Sequence, residues 1–280
     1  MTDVRMQNVS FTYPDGTKAL EHLTLTIHAG QRVAIIGQNG AGKTTAVKLM
    51  NGLLKPTEGT VHVGEWNTKD YTTAQVSRKV GYVFQNPDDQ IFHNDVESEV
   101  RFGPKNMGFA DDRVEQLTEW ALKLCGIYDL KGENPYNLPY STRKFVTIAS
   151  VLAMDTDVII LDEPTAGQDK IGLQRLKDIL ENLQEKRKTV VTITHDMEFV
   201  TEHFSRIIVM ANRRLVADQA SEQIFYNQAV LDESMLKPPA VTNMAKLLGL
   251  QEGILTKQQL LAAIKERLRS WEFGLADNKP

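Results

Sequence analysis

The densest chemistry in this sequence lies in nine residues, Gly37-Gln38-Asn39-Gly40-Ala41-Gly42-Lys43-Thr44-Thr45. They follow the apolar run Val33-Ala34-Ile35-Ile36 and open onto a helical pattern carrying Ala46, Val47, Leu49 and Met50. A glycine loop between a strand and a helix is the setting a phosphate-binding loop requires. The glycines let successive backbone N–H groups turn inward, and the helix N-terminus adds the positive end of its dipole. Lys43 is placed to reach the β- and γ-phosphates of a nucleoside triphosphate, and Thr44 to ligate Mg²⁺. The stretch predicts a nucleoside triphosphate site.

Five other residues have side chains suited to the same chemistry. Asp162-Glu163 follows the apolar run Val158–Leu161. The pair would therefore sit at the C-terminal end of a strand, where open α/β sheets bind ligands. Asp162 would hold Mg²⁺, directly or through water, and Glu163 would polarise the attacking water, since phosphoryl transfer depends on positioning and charge neutralisation. His195 follows another apolar run, Val190–Thr194, and would emerge on the same edge to reach the γ-phosphate or the water. Gln85 follows Tyr82-Val83-Phe84. Its amide could ligate Mg²⁺ or position water, and Tyr13 could stack on a base.

The elements that must position these residues follow from hydrophobic patterning. Residues 4 to 27 alternate as β structure with a turn at Pro14-Asp15-Gly16, and 59–63 is a further short strand. Residues 79–84, 158–161, 190–194 and 206–210 are apolar without alternation, as expected of strands buried on both faces of a parallel sheet. From about 86 to 157 the pattern is mainly helical. The fold class is therefore α/β, with a mainly parallel sheet, an N-terminal β layer and a helical insertion. A shift in character at Ser221 predicts a main domain over 1–220 and a helical appendage over 221–280. There Thr256–Gln259 reads as a capping box, and Leu260, Leu261, Ile264, Leu268 and Trp271 share a helical face.

Bulk properties narrow the classes. The 280 residues are 41% hydrophobic and 24% charged, an ordinary globular balance. A net charge of −4 argues against a nucleic-acid partner, and Lys186-Arg187-Lys188 and Arg213-Arg214 read as solvated helix-end and hairpin charges. No apolar run approaches a membrane span and no leader pattern opens the chain, so a cytosolic protein is expected. Cys125, the single cysteine, reads as buried packing.

Taken in order, these elements resemble the ATP-binding cassette (ABC) ATPases over residues 1 to about 220. The likeness rests on the aromatic Tyr13, the phosphate loop 37–44 (Walker A), Gln85 (Q-loop), 158–163 (Walker B), Ala166-Gly167-Gln168-Asp169 (D-loop) and His195. Within that family, Gln85–Phe92 and Val100–Pro104 resemble the energy-coupling factor (ECF) ATPases of the EcfA or CbiO type. The resemblance implies a P-loop nucleotide-binding domain of ABC type, with ATP and Mg²⁺ as its ligands. It further implies a second homologous ATPase, a transmembrane scaffold of the EcfT type and a substrate-binding membrane subunit. The chain would then lie at the cytoplasmic face of the membrane and drive uptake of a vitamin or transition-metal ion, with the tail helping two ATPases associate.

One motif departs from the family. Where the resemblance calls for Leu-Ser-Gly-Gly-Gln facing the partner subunit's nucleotide, this chain has Leu138-Pro139-Tyr140-Ser141-Thr142. Pro139 removes a hydroxyl and a backbone donor, and Tyr140 puts a ring where glycine would allow close approach. Ser141, Thr142 and the helix N-terminus retain some capacity for an anion. An intact phosphate loop beside a degenerate signature suggests an asymmetric heterodimer. Two other readings stay open, a soluble ABC ATPase of DNA maintenance or translation, and a nucleotide-binding regulatory subunit with little turnover.

Overall fold

The computed structural model describes residues 2–250 and 252–276. Its strands are β1 (Val4–Thr12), β2 (Lys18–Ile27), β3 (Arg32–Ile36), β4 (Glu58–Val63), β5 (Trp66–Asn67), β6 (Val80–Val83), β7 (Val158–Asp162), β8 (Thr189–Ile193), β9 (Arg206–Ala211) and β10 (Arg214–Ala220). The helices are α1 (Lys43–Met50), α2 (Thr73–Val76), α3 (Val96–Met107), α4 (Asp111–Leu124), α5 (Tyr140–Ala153), α6 (Lys170–Glu185), α7 (Met197–His203), α8 (Ser221–Phe225), α9 (Gln228–Ser234), α10 (Ala240–Leu247) and α11 (Lys257–Ala276).

Two sheets organise them. The larger has six strands in the order β10-β9-β3-β8-β7-β6, parallel from β9 to β6, with β10 antiparallel at the edge. The smaller is the expected antiparallel layer, ordered β2-β1-β4-β5. The absence of polar alternation in the parallel strands has a direct cause. Ile159 and Leu161 of β7 face one core, shared with the helices, while Val158 and Ile160 face the other, shared with the β layer and α1. Strand β3 divides the same way, Ala34 and Ile36 against Val33 and Ile35. Side chains of period two thus find apolar neighbours on both faces.

The helical stretch between β6 and β7 is α3, α4 and α5. Asp95 caps α3 by accepting from the Ser98 backbone N–H at 2.7 Å, and Gly108 ends it with a left-handed φ of 82°. Helix α5 buries Phe145, Val146, Ile148, Ala149 and Leu152 in the main core beside the buried Cys125.

The C-terminal region packs against the main core before it forms a cluster of its own. Ile224 and Phe225 of α8 and Leu231 of α9 pack into the main core, so that core continues past the change of character at Ser221. A separate small cluster begins only at Val241 and joins Ala245, Ile254 and Leu260. The Thr256–Gln259 capping box is present in both directions, at 3.3 and 2.9 Å. The expected apolar face of α11 is split, because Leu260 and Leu261 are adjacent and about 100° apart on a helix. Leu260 turns inward, whereas Leu261 and Leu268 are more than half exposed; the side chain of Trp271 lies outside the described residues. The charges expected to be solvated are also partly paired. Arg213 and Arg214 reach Glu21 on β2, and Lys188 reaches Asp155.

Candidate active site

Strands β3, β7 and β8 deliver the site because they are parallel neighbours and end at the same edge. The loop leaving β3 makes the phosphate cradle before α1. Its glycines are required by contact as well as conformation. A Cβ on Gly37, at φ 148°, would fall 2.0 Å from the Met210 carbonyl oxygen; one on Gly42, at φ 94°, would fall 2.5 Å from the Ala19 carbonyl oxygen. Gly42 caps α1, whose first residue is Lys43. The buried Lys43 Nζ donates to the carbonyls of Gly37 and Gln38 at 2.7 and 2.9 Å. Burial lowers its pKa, and the charges of Glu163 and Asp162 oppose that shift.

Strand β7 ends in the paired carboxylates. Asp162 is almost fully buried; its Oδ2 accepts from the Tyr82 hydroxyl at 2.8 Å, and the nearby Thr44 favours its charged form. Burial raises its pKa against the lowering effect of those donors and of nearby lysines. Its Oδ1 is buried without a hydrogen-bond partner. A hydroxyl beside a carboxylate oxygen free to ligate is a hard donor set of the kind Mg²⁺ takes with substrate phosphates.

Glu163 has a left-handed backbone, φ 51°, held by its N–H donating to the Ile193 carbonyl at 2.8 Å. Burial, reinforced by Asp162, pushes its carboxyl up to about 7, against donation from the His195 backbone N–H and the charges of Lys43 and Lys144. His195 brings Nε2 within 3.3 Å of the Glu163 carboxylate. Burial and the Lys43 charge lower its pKa, so the imidazole is neutral at pH 7. A carboxyl poised near neutrality beside a neutral imidazole can accept a proton from water and hold its orientation.

Tyr13, Asn39 to Thr45, Gln85, Asp162, Glu163 and His195 line one cleft. Gly37 and Gln38 lie behind it, as the acceptors of Lys43. The Tyr13 hydroxyl meets that of Thr45 at 3.2 Å, and its ring stands edge-on to Phe11. The residues 138–142 and 166–169 are outside this cleft and in contact with each other. Pro139 is the N-cap of α5, the Gln168 amide donates to the Ser141 carbonyl at 3.1 Å, and the Tyr140 ring packs on Gly167. Asp169 caps α6.

Sequence reasoning missed two contributors. Thr17, Lys18 and Ala19 line the cleft because the β1–β2 hairpin folds over the phosphate loop, a long-range contact with no local signature. Lys144 is 2% exposed and its Nζ donates to the Glu163 carbonyl. In the sequence it is indistinguishable from a solvated lysine beside Arg143.

Comparison with known proteins gives a consistent family. The ABC transporter family model matches residues 20–166. A protein of Pyrococcus furiosus described as a putative ABC transporter ATP-binding protein is 37% identical over 262 residues, covering 93% of this chain and 99% of its own. The energy-coupling factor transporter ATP-binding protein EcfA of Methanocaldococcus jannaschii is 34% identical, covering 90% and 91%. Among solved structures, cbiO1 of Clostridium perfringens, part of the ABC transporter complex cbiONQ, superposes with a TM-score of 0.73 at 31% identity, covering 88% and 98%. A dimeric ATP-binding cassette in a post-hydrolysis state bound to ADP and Pi superposes with a TM-score of 0.72 at 26% identity, covering 78% and 98%.

Proposed function

This chain belongs to the ABC transporter family as one of its ATPases, and from that premise we propose that it is the ATP-hydrolysing subunit of an ECF-type importer. In this reading Lys43 and the loop amides hold the β- and γ-phosphates, and Tyr13 meets the adenine. Thr44 and Asp162 hold Mg²⁺, with Gln85 at its edge; the ion neutralises phosphate charge. Glu163 orients the attacking water and His195 contacts the γ-phosphate or that water. The observation that carries hydrolysis, over nucleotide binding alone, is the Glu163 carboxylate set 3.3 Å from His195 Nε2 on the same cleft as the phosphate loop.

The importer assignment is supported by the likeness to EcfA and cbiO1 over nearly the whole chain. A surface beside Gln85 fits a membrane partner. Phe92 is 58% exposed and stacks edge-on with Phe102, and its loop is pinned by the buried Glu99, which accepts from the N–H groups of Phe92 and His93. Among the described residues no helix is long and apolar enough to cross a membrane, so a transmembrane pathway would come from other subunits. The cargo would be a micronutrient, a vitamin or a transition-metal ion, bound by another polypeptide at the membrane. The second ATPase would be a related chain with a complete signature, completing the site held by Lys43 and Glu163. The chain would sit peripherally at the cytoplasmic face.

The test is purification of the tagged chain from native membranes in mild detergent, with mass spectrometry of its companions and assay of hydrolysis. A second cassette with small hydrophobic membrane proteins is the expected result. Recovery from the soluble fraction with ribosomal or DNA-bound proteins would move the assignment to a soluble ATPase. An intact complex without hydrolysis would leave a regulatory nucleotide-binding subunit.

A further inference from the structure

We propose that Lys144 is a positioning residue for Glu163, holding the strand-end backbone that aims the carboxylate into the cleft. The inference rests on the assignment of Glu163 as the residue that orients the attacking water. It begins from a side chain in an unexpected place. An ammonium group withdrawn from water costs several kcal/mol unless its surroundings return that energy, and lysines this buried are rare without a partner. Lys144 is buried to the level of the core, and its Nζ bonds to the carbonyl oxygen of Glu163. Glu163 is also the residue immediately after β7, and its left-handed backbone turns the chain out of the sheet.

That carbonyl is a fulcrum. The Glu163 N–H is tied to Ile193 on β8, and the Glu163 carbonyl also accepts from the Ala166 N–H at 3.4 Å. The longer of these bonds is weak. The lysine is then the strong restraint on the Glu163 carbonyl. Because Pro164 fixes the φ that follows, loss of that bond would let the strand end shift as a unit and carry the Glu163 side chain away from its contacts with His195. Lys43, Asp162, Glu163 and Lys144 form a balanced set, two cations with two carboxylates, so the second lysine also offsets the carboxylate charge gathered at the strand end.

The position of Lys144 on α5 gives the restraint a second consequence. Helix α5 starts at Tyr140, within the degenerate stretch Leu138–Thr142, and its first turn is fastened to the segments that carry Gln85 and Gln168. The Tyr140 hydroxyl donates to the Gln85 carbonyl at 3.4 Å, Arg143 pairs with Asp88 at 3.2 Å, and Ser141 accepts from Gln168. One turn further in, Lys144 reaches Glu163. A displacement of the head of α5 is therefore transmitted to the Glu163 backbone by a direct bond.

The experiment compares Lys144→Met and Lys144→Arg with the native chain in the purified ATPase assembly, alongside Glu163→Gln. Methionine keeps the length of the side chain and removes the donor; arginine keeps a cationic donor. Lys144→Met is expected to lower kcat about tenfold or more with KM for ATP changed less than about twofold, because misplacing a positioned group affects the chemical step. Lys144→Arg is expected to restore a substantial part of kcat. In the full chain without nucleotide, amide hydrogen exchange at Glu163 and Ala166 should accelerate in Lys144→Met while α1 and β8 are unchanged. An unaltered kcat in Lys144→Met overturns the proposal. So does a parallel loss of kcat, ATP affinity and thermal stability, which would mark a packing role. Unchanged exchange at Ala166 also overturns it, even where activity falls. Native turnover in Glu163→Gln would instead sink the assignment of Glu163, and the proposal with it.

Discussion

Glu163 concentrates the electrostatic cost of this site in one side chain. Burial places its carboxyl near 7 from an ordinary 4.5, so between those values the native state holds a proton that the unfolded chain has lost. Stability from this group is fully present below about pH 4.5 and is lost as pH rises through 7. Glu163→Gln removes the titration. The variant should gain on the native chain progressively over that interval, reaching about 2 to 3 kcal/mol above pH 7 once the shift is discounted for solvent screening. Thermal denaturation at pH 5 and pH 8 checks this; equal differences at both would contradict it. The same substitution should lower ATP turnover by about a hundredfold or more, if Glu163 plays the proposed role of orienting and deprotonating the attacking water. A more stable but inactive variant is the expected combination.

At the scale of elements, the phosphate loop depends on how tightly β3 and β9 pair. Gly37 leaves β3 so close to the Met210 carbonyl that a methyl group would overlap backbone, which has no rotamer to yield. Gly37→Ala should therefore cost about 3 kcal/mol or more, read by denaturant unfolding, and weaken nucleotide binding in parallel. Little effect on either would show that the loop relaxes independently of the sheet. Gly40 makes a partial contrast: a Cβ there would meet nothing within 4 Å, so only its left-handed φ of 77° opposes a side chain. Of these elements, the parallel strands were readable from apolar runs, and the stretch that forms α3, α4 and α5 read as mainly helical. Strand β10, the short β5 and the hairpin cover over the phosphates were not, because edge strands and turns draw their stability from partners distant in sequence.

At the scale of the whole molecule, the head of α5 is the one family element whose chemistry does not match the rest. In the proposed heterodimer the site with Glu163 faces a complete signature, whereas the partner's nucleotide faces Pro139 and Tyr140. Glu163→Gln in this chain should then remove most of the turnover of the assembly, and the equivalent change in the partner should remove much less. Equal losses would contradict the asymmetry. The contacts of Tyr140 and Ser141 with Gly167 and Gln168 favour it, since they engage the first turn of α5 within its own subunit.

Residue types and spacing alone determined the phosphate loop, the paired carboxylates and His195, because each follows an apolar strand whose end must lie at one edge of a parallel sheet. They also determined the mainly parallel α/β architecture, since strands buried on both faces lose their polar alternation. What only the tertiary structure decided is which polar groups meet where that edge is crowded. Lys144 becomes a buried partner of Glu163, and Asp162 keeps one free oxygen, through contacts that join separate segments of the chain. The packing of α8 and α9 into the main core was decided in the same way, because a helix of five to seven residues is held by what it packs against more than by its own pattern.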